Sequence, residues 1–315
     1  MTVGIALPTT SDAVARSTNA VDLLIDQART AAEFGVGGIW LSQRFDVDAL
    51  TLAAAVAREV PDVAIGTSVV PMYPRHPVVL ASQALTVQAA SAGRFTLGIG
   101  LGAGPVAEGL YGVPYDRPIR HLRDYMTTLR AIFAGEEADV HGPTVTAATA
   151  GYSTVVGGAS TLPIIVAAMG EQALRAAGEL ADGTLPFLAG RRTIANTIAP
   201  AITAAAQSAG RTAPRIIAAV PAIVTSKVDA VTAAAREELG FYAAFPTYQR
   251  ILAAEGIDHP AQLALIGDEE TVAAGVRAYL EAGATEVIFA QTGLGSRADQ
   301  LRTGELAGAL TKEFS

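Results

Sequence analysis

Short runs of β-branched and aliphatic residues alternate with longer alanine-rich stretches whose apolar positions recur at helical spacing, and the alternation continues along most of the chain. Brief apolar runs bounded by turn residues mark strands, and a recurrence near 3.6 marks helices that bury one face. Eight strands are predicted, at 3–7 (VGIAL), 37–42 (GGIWLS), 63–70 (VAIGTSVV), 95–100 (FTLGIG), 162–168 (LPIIVAA), 183–188 (GTLPFL), 216–225 (IIAAVPAIVT) and 286–291 (EVIFAQ). Amphipathic segments lie between them at 21–34, 49–59, 78–91, 117–133, 171–180, 193–209, 229–245 and 269–282. That is the count of an α/β fold of the (β/α)8 TIM barrel type. An open doubly wound sheet is the alternative. No Pro/Ser-rich linker or break in composition divides the chain, so a single domain over 1–315 is expected.

Two intervals exceed ordinary connections. Residues 135–161 lack helical period and alternate β-branched residues, which predicts a hairpin inserted after the fourth helix. Residues 241–268 add helical matter before the last βα unit. In barrels such insertions shape the substrate mouth.

Composition narrows the partners. Half the residues are hydrophobic (50%) and 17% are charged, which suits a large core. The net charge is −8 and the basic residues are scattered singly, so no nucleic-acid partner is expected. Cysteine is absent, which excludes disulfides and thiolate chemistry. The N-terminal MTVGIALPTT has no basic region, and no long uncharged apolar stretch occurs. We expect a cytoplasmic protein without membrane contact.

The glycines of GIGLGAG (98–104) do not match a dinucleotide fingerprint, which needs G-x-G-x-x-G opening a helix. Here the chain runs on as PVAEGLYGVPYDRP, rich in helix breakers. Two readings stand: a loop where backbone approaches a flat ligand closely because no Cβ intervenes, or a plain glycine-rich turn. At VAAMGEQALRAAG a strand ends at Met169-Gly170 and a helix opens at once. Its free N–H groups at Gly170, Glu171 and Gln172 form an anion site, or the segment is an ordinary βα turn. Gln43 and Arg44, after the second strand, stand where barrels place chemistry, or they solvate the rim. His76 is a weak site candidate whose alternative is capping the next helix. The histidines at 76, 121, 141 and 259 are too dispersed for a metal site. Tyr111, Tyr115 and the aromatic residues of 241–248 either line a pocket or pack their loops. In GTSVVPMYPRHP (66–77) three prolines stiffen the exit of the third strand, and Pro77 suits the first turn of a helix.

Taken together, GRFTLGIGLGAG, GVPYDRPIRHLRDYMTTLRAIFAGE and PIIVAAMGEQALRAAGELADGTL resemble the bacterial-luciferase-like oxidoreductases, above all their actinobacterial coenzyme F420-dependent branch. The segments AVDLLIDQARTAAEFGVGGIWLSQRF, IGTSVVPMYPRHPVVLASQA and IGDEETVAAGVRAYLEAGATEVIFAQ extend the resemblance over nearly the whole chain. It implies a (β/α)8 barrel, often a homodimer, holding a reduced deazaflavin or flavin at the C-terminal mouth. It further implies a cis peptide at Ser68-Val69 against the cofactor ring. The implied cofactor contacts are Ser42, Ser68, Val69, Leu101, Gly102, Ala168, Met169, Gly170, Glu171 and Gln172. The family's sugar-phosphate and alcohol dehydrogenases carry an acidic residue and a histidine where this chain has Ser42-Gln43, and a glutamate where it has Ala103. The expected activity is therefore F420-dependent hydride transfer to a small organic acceptor, reductase rather than alcohol dehydrogenase. The alternatives are an FMN-dependent monooxygenase and a non-catalytic F420- or flavin-binding protein.

Overall fold

All eight predicted strands are present in the computed structural model, which describes residues 1–9 and 12–314. They are β1 (Thr2–Ala6), β2 (Ile39–Leu41), β3 (Ile65–Thr67), β4 (Phe95–Gly100), β5 (Ile164–Ala167), β6 (Gly183–Thr184), β7 (Arg215–Val224) and β8 (Glu286–Ala290). The fold is a (β/α)8 barrel, as the alternation predicts. Packing divides the chain into two units: Met1–Trp40, Leu185–Ala201 and the chain from Arg215 onward form one, and Leu41–Thr184 with Ile202–Pro214 form the other. Among the described residues no helix is long and apolar enough to cross a membrane.

In the first unit β1 pairs in parallel with β8 (Val3↔Val287) and with β2 (Ile5↔Ile39), and β8 pairs with β7 (Ala219↔Ile288). Val3, Ile39, Ile217, Val287 and Phe289 are fully buried, because parallel strands are covered on both faces and so read as continuous apolar runs. The helix Ala20–Phe34 starts at Asn19, whose side chain accepts from the Val21 and Asp22 N–H groups, and stops at Gly35 in the left-handed region. Against it lies the C-terminal helix Arg297–Phe314, which the sequence pattern did not predict. Its buried positions include Gly304, Ala307 and Gly308, small residues that leave no strong apolar period. A Cβ on Gly308 would lie 1.9 Å from the Phe34 carbonyl oxygen, so close approach, rather than side-chain bulk, makes this contact.

The insertion before the last βα unit contains the helix Pro246–Glu255, 3-10 turns and the short strand Leu265–Gly267, which joins β7. The predicted helix 229–245 stops at Leu239 and continues as a 3-10 turn, Gly240–Ala244. Aromatic residues of this insertion pack on one another edge to face, with ring centroids 4.9 Å apart for Phe241–Phe245 and 5.1 Å for Tyr242–Tyr248.

In the second unit β3 pairs with β4 (Ile65↔Phe95), β4 with β5 (Leu97↔Ile164) and β5 with β6 (Ile165↔Gly183), all parallel. The predicted strand 63–70 is interrupted: Ile65–Thr67 is followed by a two-residue strand, Val70–Pro71, and the Ser68-Val69 peptide between them is cis, as is Tyr73-Pro74. The predicted hairpin is present as Asp139–His141 paired antiparallel with Thr146–Ala148. A six-residue helix, Gly104–Gly109, forms where glycine and proline predicted none. Pro105 stands in its first turn, where a missing N–H is no loss, and the helix ends at Gly109 before its breakers accumulate.

Candidate functional site

Four of the expected contact segments follow the C-terminal ends of β2, β3, β4 and β5. The Ser42 hydroxyl donates to the Ser68 carbonyl oxygen at 2.9 Å, and the Ser68 N–H donates to the Leu41 carbonyl oxygen at 2.8 Å. The register Gly100↔Ala167 sets Leu101 and Ala168 at adjoining strand ends. Val69 lies over β4: a Cβ on Gly100 would sit 2.8 Å from the Val69 Cγ2 methyl. The structure thus brings Ser42, Ser68, Val69, Leu101 and Ala168 to one end of adjacent strands.

The glycine run is used differently from the ligand-approach reading. At Gly98 a Cβ would meet the Thr67 carbonyl oxygen at 1.9 Å, so this glycine, like Gly100, makes room for the turn between Thr67 and Val70 rather than for a ligand. Gly102 keeps that reading. Its φ is +72° and nothing lies within 4 Å of its would-be Cβ.

Beyond β5, the Thr184 hydroxyl lies 2.9 Å from the carbonyl oxygens of both Val166 and Ala168 and fixes the strand end. The helix Glu171–Leu180 opens at Gly170 with no side chain capping it. By contrast Asp48 and His76 accept backbone N–H groups in the first turns of their own helices. Glu171 and Gln172 are exposed, and a Cβ on Gly170 would meet nothing within 4 Å. The first-turn N–H groups here form a positive helix end with open space before it.

Gln43 and His76 are occupied by the protein itself. The Gln43 amide donates to the Arg44 carbonyl at 2.8 Å and accepts from the Ala49 N–H at 3.0 Å and from Arg75 at 3.2 Å. Arg75 also forms an ion pair with Asp48. His76 Nδ1 accepts from the Val78 N–H at 3.3 Å, which leaves Nε2 as the donor to the Thr146 carbonyl at 2.9 Å. These contacts make His76 a helix cap tied to the hairpin, the alternative the sequence offered for it, and Gln43 a bracket between the strand end, Arg75 and the next helix.

A cluster that the sequence reading missed surrounds Tyr73. Its ring stacks on His121 (centroids 4.4 Å, planes 15° apart) and contacts Tyr115 at 5.3 Å. Burial, with Tyr115 and Asp116 nearby, pushes the Tyr73 hydroxyl up to about 12. Burial pushes His121 below its ordinary value, against the pull of the Asp124 carboxylate. The Tyr115 hydroxyl donates to the Gly102 carbonyl at 3.3 Å. One signal was available: His121 and Tyr125 are four apart on the helix Pro118–Phe133 and share a face. The partner, Tyr73, is remote in sequence.

The profile of the family described as luciferase-like monooxygenase matches residues 1–286. A 5,10-methylenetetrahydromethanopterin reductase of Methanolobus tindarius is 27% identical over 243 residues, 76% of this chain and 72% of that protein. The solved coenzyme F420 dependent tetrahydromethanopterin reductase from Methanopyrus kandleri matches with a TM-score of 0.81 at 19% identity, covering 99% of each chain. The oxygenating constituent of 3,6-diketocamphane monooxygenase from Pseudomonas putida, solved with FMN, matches with a TM-score of 0.76 at 19% identity, over 99% of this chain and 98% of that one.

Proposed function

The chain belongs to the luciferase-like monooxygenase family and is an oxidoreductase, and from that premise we propose that it binds coenzyme F420 and transfers hydride between the deazaflavin and a small organic acceptor, working as a reductase. The observation that carries this reading is the uncapped start of the helix Glu171–Leu180, at the same end of the parallel strands as the Ser68-Val69 turn. The residues fit the cofactor. Backbone N–H groups of Gly170, Glu171 and Gln172 would hold its phosphate, with the open space at Gly170 admitting it. Ser68, Val69, Leu101 and Gly102 would flank the ring, and the Ser42 hydroxyl bond to the Ser68 carbonyl orients that turn.

When bound, a deazaflavin supplies hydride and, with carbon in place of the ring nitrogen at position five, reacts poorly with oxygen. The protein's own contribution is then to orient an acceptor and exclude water. Ser42, the engaged amide of Gln43 and Ala103 supply no acid–base pair for oxidising an alcohol, which favours reduction of an activated C=C, C=N or C=O bond. We also propose a homodimer, to be checked by light scattering on the eluting protein.

Fluorescence titration of the purified protein with F420 and with FMN, followed by a screen of acceptors with reduced cofactor, tests the reading. Micromolar F420 binding and acceptor-dependent oxidation of the reduced form are expected. Preference for FMN with oxygen consumption would instead indicate a monooxygenase. F420 binding without turnover would indicate a carrier, and no binding of either cofactor would overturn the proposal.

A further inference from the structure

The Tyr115 hydroxyl meets the chain at Gly102, a residue expected to flank the cofactor ring, and its bond to the Gly102 carbonyl is open to solvent. Gly102 is exposed and its would-be Cβ meets nothing within 4 Å, so the phenol stands at the edge of open space. Three further contacts hold it there. The Tyr115 N–H donates to Glu108 Oε1 at 3.3 Å, the ring packs on Tyr73, and a Cβ on Gly104 would lie 3.3 Å from Tyr115 Cδ1. Neighbouring polar groups at these strand ends are committed or shut in. Ser42 donates to the Ser68 carbonyl, Gln43 and His76 are bonded within the rim, Arg75 is paired with Asp48, and Tyr73 is 4% exposed.

Resting on the F420 reading above, we propose that Tyr115 is the proton donor of the reaction and that the acceptor it serves carries a C=O or C=N bond. The reductant is the reduced deazaflavin, which loses two electrons as hydride to the acceptor carbon. The electron pair of the double bond moves onto oxygen or nitrogen, which takes the Tyr115 proton as the phenolic O–H bond breaks. The phenolate regains a proton from water, to which its hydroxyl is open. A forming alkoxide or amide ion is far more basic than a phenolate, so the transfer runs downhill. A phenol keeps its proton at neutral pH, and burial holds this one above the ordinary tyrosine value. It therefore stands ready for reduction, which needs an acid, and not for oxidation, which needs a base.

The test has a binding arm and a kinetic arm, both on the full chain. Protein labelled at the tyrosine ζ carbon is titrated with oxidised F420, which cannot deliver hydride, while NMR follows the Tyr115 resonance identified through Tyr115→Phe. That resonance should shift in step with the quenching of F420 fluorescence, and the resonance of Tyr279, 3% exposed on a helix of the first unit, should stay. Absent quenching would overturn the cofactor reading itself; quenching with an unmoved Tyr115 would overturn this assignment alone. In the kinetic arm reduced F420 is mixed with cyclohexanone or pyrroline. Tyr115→Phe keeps the ring contacts and should lower kcat by about a hundredfold or more at unchanged F420 affinity, the pattern of a group acting only in the transition state. If Tyr115 merely braced Gly102, affinity would fall and kcat would hold. That result, wild-type kcat in the variant, or F420 binding without reduction of either acceptor would overturn the proposal.

Discussion

Thr67 and Gly98 are fitted to each other: the Thr67 hydroxyl donates to the Gly98 carbonyl and accepts its N–H, each at 2.8 Å, and a Cβ on Gly98 would lie 1.9 Å from the Thr67 carbonyl oxygen. Gly98→Ala must therefore push two adjacent strands apart. We expect a loss of about 1–3 kcal/mol or more, the ordinary cost of overpacking, seen as a lower urea midpoint with an unchanged slope. Wild-type stability in this variant would mean that the strands yield without cost.

Gly170 predicts the opposite pattern. Its backbone is extended and its surroundings open, so Gly170→Asp fits the fold and caps the helix, worth at most a few tenths of a kcal/mol over glycine. The new carboxylate then takes the N–H groups proposed for the cofactor phosphate. Stability should hold while F420 affinity falls by about tenfold or more, on the scale of one charge-assisted contact. Unchanged affinity in the fluorescence titration would remove the phosphate assignment.

His76→Ala removes the cap of the helix Pro77–Ala90 and the bond to Thr146. About 1 kcal/mol of stability should be lost. Turnover per folded molecule should not change, because both ring nitrogens already have protein partners. A pH–rate profile that lost a limb in this variant would restore His76 as a chemical group.

His121 sets a pH dependence. Its folded value is lowered, chiefly by burial, so the unfolded chain binds the proton more readily. The stabilisation from its neutral form is complete above the ordinary histidine value, about 6.5, and is lost as pH falls below that toward the depressed folded value. Thermal melts from about pH 7.5 to about pH 5 should show Tm falling, and His121→Gln should flatten that slope. A parallel fall in the variant would place the titration elsewhere.

The barrel was legible because its signals are local. Continuous runs such as LPIIVAA and one-faced helices such as 21–34 encode burial within a few residues of themselves, and the hairpin in 135–161 announced itself by alternation. The C-terminal helix escaped because Gly304, Ala307 and Gly308 pack by their smallness, which carries no hydrophobic period. The helix Gly104–Gly109 escaped because its breakers occupy positions where a short helix tolerates them.

The candidate site divides in the same way. By itself the sequence determined where strands end and helices begin, and so which backbone groups at Met169 to Gln172 lie at a helix start. Only the tertiary structure decided that Gly98 and Gly100 serve Thr67 and Val69 while Gly102 stays open, that His76 and Gln43 are already bonded, and that Tyr73 meets His121. The physical reason is range. Secondary structure follows from dihedral preference and burial along one segment, whereas the use of a glycine or a histidine depends on which atoms of distant segments come within a few ångströms of it.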